Sequence, residues 1–160
     1  MSKTDESKVA ERLRSRLRRL VLGPDVCPED ALREICDDIV RISRPEQLMG
    51  DLFEVLERFP EEFLGAPGPV IRTLESMPGY EGALQDSVRR GPNYHTFVMM
   101  MRIVNSLRST REKRKWLRLI RRIADDASLD SIAEEAAAFL SEQADLRSLT
   151  KGRCKKRPRG

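Results

Sequence analysis

Residues 109–124 read STREKRKWLRLIRRIA, and this stretch carries the pattern that decides the fold. Its large apolar residues, among them Trp116 and Ile120, recur at intervals of three and four, which is the period of an amphipathic helix. Ser109 and Glu112 have the spacing of a capping box, in which two residues satisfy free N–H groups of a first helical turn. The stretch therefore predicts a helix with one buried side and a strongly basic outer face.

The same helical period continues on both sides of this stretch. Apolar stripes predict helices over about 6–22, 28–42, 43–59, 69–77, 80–90, 93–106 and 110–124, and an eighth that begins at Leu129. Ser43 and Glu46 give the third of these a second capping box. Proline and glycine mark most of the ends, and no segment alternates as a strand does. The sequence therefore predicts an all-α fold of about eight short helices, packed as antiparallel helical hairpins in a HEAT-like stack or an irregular bundle.

Length and composition fit a single helical domain. The 160 residues are 39% hydrophobic and 35% charged, which is typical of a soluble globular chain. No apolar run reaches the roughly 18 residues of a membrane span, and the Arg-rich first twenty residues lack the apolar core of a secretory signal. Beyond about Asp145 apolar residues become rare. We therefore expect a cytoplasmic protein with one helical domain over residues 1–146 and a basic, disordered tail over residues 147–160.

Residues suited to catalysis or metal binding are few. His95 is the single histidine, and the three cysteines form no CxxC pair, so the close Cys and His ligands of a zinc site are missing. The sequence has no glycine-rich phosphate loop and no nucleophile-elbow motif. His95 itself has two interpretations, as a general base or as a residue at a helix boundary. We therefore expect no enzyme activity, no metal and no cofactor.

The net charge of +4 is the sum of opposing blocks. Residues 25–62 hold twelve acidic and four basic residues, whereas residues 108–122 hold eight basic residues and one acidic residue. The last fourteen residues hold seven basic residues and no acidic one. Each block has two interpretations: it is a solvated helix face, or it is a surface that attracts a partner of opposite charge.

Within the acidic block, carboxylates at intervals of three and four residues share helix faces. We call this set the acidic face, and as a docking surface it would bind a basic protein, such as a nuclease. Its candidate contact residues are Asp30, Glu34, Asp37, Asp38, Asp51, Glu54, Glu57 and Glu61.

The basic block supports an alternative function, the binding of nucleic acid through phosphate contacts. Aromatic residues, which stack on exposed bases, make up only 5% of the chain, and no nucleic-acid-binding motif is present. The candidate contacts are Arg111, Arg114, Lys115, Arg118 and Arg122, assisted by the basic tail.

Residues 78–106 read PGYEGALQDSVRRGPNYHTFVMMMRIVNS. The first helix of this stretch begins with an aromatic residue and ends in basic residues before a proline turn. The second helix begins with Tyr or His followed by Thr, and it ends in the pattern Met-Arg-x-x-Asn. The matching positions are Tyr80, Leu84, Ser87, Arg89, Arg90, Pro92, Tyr94, Thr96, Met101, Arg102 and Asn105. This stretch resembles small all-helical immunity proteins of bacterial polymorphic-toxin and contact-dependent inhibition systems.

The resemblance implies a cytosolic, non-enzymatic antidote that binds one cognate toxin domain and neutralises it by protein–protein contact. It leaves open whether Arg102 and Asn105 contact that partner. We expect instead that they hold the helical hairpin together by bonding to loop carbonyls.

Overall fold

The computed structural model describes the backbone of residues 3–22, 27–65 and 67–153, and in these ranges it contains helices and no strand. The predicted all-α fold is confirmed. The helices, in chain order, are α1 (Lys3–Arg18), α2 (Pro28–Val40), α3 (Met49–Arg58), α4 (Pro69–Glu75), α5 (Tyr80–Arg90), α6 (Tyr94–Ser106), α7 (Thr110–Ala124) and α8 (Asp130–Arg153). Short 3-10 turns at Pro45–Leu48 and Ala127–Leu129 precede α3 and α8.

Local sequence explains where several helices begin. Prolines occupy the first position of α2 and α4, where a missing N–H costs no helical hydrogen bond. Gly79, with φ of 81°, takes the left-handed conformation that leads the chain into α5. The Ser109 hydroxyl accepts a hydrogen bond from the Glu112 N–H at 3.4 Å, as the capping-box spacing predicts.

The second predicted capping box is wrong. The Ser43 hydroxyl donates to the Glu6 carboxylate of α1, and no side chain caps the 3-10 turn that follows. The predicted helix over 43–59 is accordingly split into this turn and α3. Pro45 starts the turn, because its fixed φ suits a first turn while its ring disfavours the helical conformation at the preceding residue, Arg44.

Two helix ends also differ from the prediction. α1 ends at Arg18, before residue 22, and the Arg58 guanidinium binds the carbonyls of Leu17 at 3.1 Å and Leu20 at 2.8 Å just there. α8 continues to Arg153, past Asp145, because no proline interrupts the chain in that stretch. Residues 154–160 lie outside the described residues, so disorder in that part of the tail stays a prediction.

The chain divides into two compact units, Met1–Met99 and Met100–Gly160. In the first unit α1 packs on α3 and α3 on α5, while α2 packs on α1 and on α4. Contacts between every second helix are typical of stacked helical hairpins, which favours the HEAT-like alternative for this unit. Its core holds fully buried side chains that include Leu32, Ile39, Leu52, Phe53, Leu56, Leu74 and Phe97. The prediction of one domain over residues 1–146 stays a prediction.

In the second unit α7 and α8 pack against each other as a helical hairpin. Its buried residues are bulky on α7 and small on much of α8: Trp116, Ile120 and Ile123 on the first helix, and Ala133, Ala136 and Phe139 on the second. Alanines let two helices approach closely, so the bulky residues of α7 fit against α8. None of the described helices combines the length and the apolar character needed to cross a bilayer.

Candidate partner-binding site

Arginines of α1 pair with three of the eight residues of the acidic face, which are Glu34, Asp38 and Asp51. The Arg14 guanidinium lies 3.1 Å from one carboxylate oxygen of Asp51, and Arg18 lies 3.6 Å from the other. The Asp51 side chain is only 10% exposed. Hydrogen bonds with Glu11 and then Asp51 raise the pKa of Arg14 above its ordinary value. Asp51 is therefore part of a half-buried ion-pair network and does not form part of an open docking surface.

A second arginine of α1 reaches the other acidic helix. Arg16 binds Glu34 at 3.0 Å and Asp38 at 2.8 Å, so one guanidinium bridges two carboxylates of α2. The Asp38 carboxylate also forms an ion pair with the Arg41 guanidinium at 3.3 Å. Arg14 and Arg18 thus pair with a carboxylate of α3, and Arg16 pairs with two carboxylates of α2.

Glu57 is paired inside the first unit too. Its carboxylate lies 2.6 Å from the Arg90 guanidinium and accepts a hydrogen bond of 2.6 Å from the Ser87 hydroxyl. The hydrogen bond with Glu57 is the main reason that the pKa of Arg90 is raised. These contacts join the end of α3 to α5, so Glu57 has a structural role that its place in an acidic stripe does not reveal.

Asp30 forms an ion pair with Arg33 at 3.9 Å. Five of the eight residues of the acidic face are therefore paired: Asp30, Glu34, Asp38, Asp51 and Glu57. Asp37, Glu54 and Glu61 are exposed and form no ion pair with any described residue. The structure thus does not bring the eight carboxylates together as one free surface. The signal that could have indicated this is the basic composition of α1 itself.

The basic residues of α7 have a different environment. α7 and α8 frame an open groove of about 590 Å³, whose cationic wall consists of Arg111, Arg114, Arg118 and Arg121. Three of these four were predicted contacts, and Arg121 was not. The remaining predicted contacts, Lys115 and Arg122, do not line the groove. The Lys115 ammonium instead lies 5.6 Å from the centre of the Trp116 ring.

The positive charge of this groove is not paired with a carboxylate of any residue that the structure describes. The four groove arginines are exposed and form no ion pair with any residue in the described part of the chain. They occupy positions i, i+3, i+7 and i+10 of one helix, a row about 15 Å long at 1.5 Å per residue. The apolar side chains of Leu117, Leu140 and Ala144 line the same groove.

The α5–α6 hairpin is held by a buried polar cluster around Asn93. Its side-chain amide donates to the Leu56 carbonyl at 3.1 Å, and its side-chain oxygen accepts the Thr96 N–H at 3.1 Å. The expected role of Asn105 in this hairpin is wrong, since its side-chain oxygen accepts a hydrogen bond from Gln143 of α8 at 3.3 Å. Asn93 does what was expected of Asn105, because it lies at the turn itself.

His95 lies in the same hairpin and is 2% exposed. Its Nε2 is 3.1 Å from the Phe59 carbonyl oxygen, to which the neutral ring donates. Burial is the main reason that the pKa of His95 is lowered from its ordinary value of 6.5. This environment favours the helix-boundary interpretation over that of a general base, because the ring is buried away from solvent and its Nε2 is hydrogen-bonded to the backbone.

No cluster of three or more His, Cys, Asp or Glu side chains is arranged to hold a metal ion among the described residues. Cys36 is buried, and desolvation raises the pKa of its thiol to about 11. Cys27 is exposed, and Cys154 lies outside the described residues. A smaller pocket of about 260 Å³ next to Cys36 has a mixed lining that includes Arg33, Asp37 and Arg72.

No protein-family model, curated protein or solved structure matches this chain. The resemblance of residues 78–106 to immunity proteins accordingly stays a hypothesis.

Proposed function

We propose that this chain is a cytoplasmic immunity protein that neutralises a cognate bacterial toxin domain by protein–protein contact. The groove between α7 and α8 is the observation that supports a protein–protein contact, and the toxin domain as partner comes from the resemblance of residues 78–106. The four arginines of the groove have no ion-pair partner among the described residues, and they stand beside apolar side chains. Arginine next to a small apolar area is the composition found at the energetic centre of protein interfaces.

The distribution of ion pairs supports a binding role for this groove over the acidic face. Asp38, Asp51 and Glu57 of the acidic face already pair with arginines of the same unit, so a basic partner would have to displace those contacts. The groove arginines form no such ion pair with the part of the chain that the structure describes. A partner that supplies carboxylates would therefore gain charge-assisted hydrogen bonds at a lower cost.

The proposal is tested by capturing the partner and measuring its toxicity. The full chain, tagged and purified from its native cytosol in about 0.3 M salt, a level that screens exposed charges beyond a few ångströms, should retain one protein at a one-to-one ratio. Expression of that protein alone should arrest growth, and co-expression with this chain should restore it. A gene for a large toxin directly upstream of the gene for this chain would agree.

Two results would contradict the proposal. The first is that no protein remains bound once salt is raised. The second is that the retained protein does not arrest growth when it is expressed alone.

A second candidate function is the binding of nucleic acid, which the row of arginines on α7 favours. Four phosphate contacts would make log K fall with log salt at a slope of about −3 to −4. Filter binding of a duplex and of a single-stranded oligonucleotide over a salt series measures this slope. A flat salt response, or the same slope after reversal of Arg114 and Arg118, would exclude the groove as a nucleic-acid site.

A further inference from the structure

We infer that the groove between α7 and α8 binds an acidic, amphipathic polypeptide segment of the partner, with carboxylates three or four residues apart and apolar side chains between them. The inference rests on the proposed function and identifies the surface and the chemistry of the contact.

The spacing of the groove arginines sets the spacing of the carboxylates. Neighbouring arginines in the row from Arg111 to Arg121 are three or four residues apart, and such neighbours on a helix are about 5–6 Å apart at Cβ. A partner helix with Glu or Asp at the same intervals repeats this distance. Each guanidinium can bind a carboxylate through two parallel N–H groups, so the match fixes register as well as charge.

Apolar residues in the groove separate a polypeptide from a nucleic acid. Leu117 and Leu140 are half-buried, and Ala144 is exposed beside them. A Leu or Phe side chain of the partner would remove this area from water, at about 25 cal/mol per Å². A sugar-phosphate backbone would leave this apolar area exposed to water. The described residues that line the groove include no aromatic side chain to stack on a base.

One side chain of the groove, that of Gln143, is already held by a hydrogen bond within the chain. Gln143 lines the groove, and its side-chain amide donates to Asn105 of α6 at 3.3 Å. Ordering a long side chain on binding costs roughly 0.5–1.5 kcal/mol. Part of this cost is already met for Gln143 in the free protein.

The experiment measures the binding of defined probes to the full chain by fluorescence anisotropy. The first probe is an 18-residue peptide with Glu at positions i, i+3, i+7 and i+10 and Leu on the same face. The others are a peptide of the same composition with permuted positions, a polyglutamate of equal charge and an 18-nucleotide single strand. We expect the patterned peptide to bind more tightly than each of the other three by roughly tenfold or more.

Matched variants place the binding in the groove. The double variant Arg114→Glu/Arg118→Glu should weaken the patterned peptide by tenfold or more. The double variant Lys115→Glu/Arg122→Glu, which makes the same charge change on the same helix outside the groove, should change affinity less than twofold. Leu140→Gln should weaken the patterned peptide and leave polyglutamate unaffected. Since these side chains are exposed or half-buried, thermal unfolding of each variant should match that of the parent chain.

Several outcomes would overturn the inference. They are equal binding of the permuted peptide or polyglutamate, tighter binding of the oligonucleotide, and equal losses for the double variants inside and outside the groove. Growth rescue by the double variant inside the groove as strong as that by the parent chain would overturn the inference while leaving the proposed function intact. Failure of the parent chain itself to rescue growth would contradict the proposed function.

Discussion

Replacing Asn93 by alanine is expected to lower the free energy of unfolding by about 2–4 kcal/mol. The side chain is buried and caps α6 through the Thr96 N–H, and loss of such a cap costs about 1 kcal/mol. It also donates to the Leu56 carbonyl, whose usual helical partner four residues later would be Pro60, a residue without an N–H. Leaving that carbonyl unsatisfied adds about 1–3 kcal/mol.

Urea unfolding followed by circular dichroism measures this loss, and two variants separate its parts. Asn93→Ser keeps a capping oxygen but is too short to reach Leu56, so it should recover only the capping contribution of about 1 kcal/mol. Ser109→Ala removes an exposed cap at α7 and should cost no more than about 1 kcal/mol. A loss below about 0.5 kcal/mol for Asn93→Ala, or full stability of Asn93→Ser, would refute the role given to the Leu56 contact.

Three further perturbations probe other parts of the first unit. Asp51→Ala removes a largely buried carboxylate from two arginines of α1 and should cost about 1.5–3 kcal/mol in urea unfolding. Because the folded pKa of His95 is lowered below 6.5, the contribution of its neutral ring to the free energy of unfolding is present above pH 6.5 and is lost as pH falls through the folded pKa. The free energy of unfolding, measured against pH, should therefore fall over this range, and His95→Gln should make the fall smaller. Gly68→Ala places a Cβ 1.6 Å from the Leu64 carbonyl oxygen and should lower the melting temperature by several degrees or prevent folding, whereas Gly82→Ala, in open space on α5, should not lower it.

The helices could be predicted from the sequence because their signals are local. Apolar periodicity needs only a window of a dozen residues, and prolines and glycines act on their own backbone. The prediction failed where a tertiary contact overrides a local signal. Ser43 has the spacing of a capping residue, yet its hydroxyl binds Glu6, which is 37 residues away in the sequence. The role of Asn93 also depends on a distant residue. Its amide donates to the Leu56 carbonyl, which lacks its usual helical donor because the residue four positions later is Pro60.

The candidate site was harder to predict because the sequence gives the sign of a charge block but not its partner. Asp51 and Glu57 look like exposed members of a helical stripe, whereas both lie against arginines from distant segments. A spacing of three or four residues reports neighbours on one helix only. Arg121 was missed for a related reason, since the position of α8 decides which side of α7 lines the groove.

The two charge blocks therefore differ in their electrostatic balance, although both have the composition of a binding surface. Four carboxylates of α2 and α3, those of Glu34, Asp38, Asp51 and Glu57, pair with arginines of the same unit, and a partner could use these four only by breaking the pairs. The arginines of the α7 groove repel one another over about 15 Å with no described carboxylate paired to them. An acidic partner would relieve this repulsion and cover the apolar side chains in the same step. Charge that is unbalanced within the chain is thus a stronger indication of a contact surface than charge density, and here it points to α7 and α8.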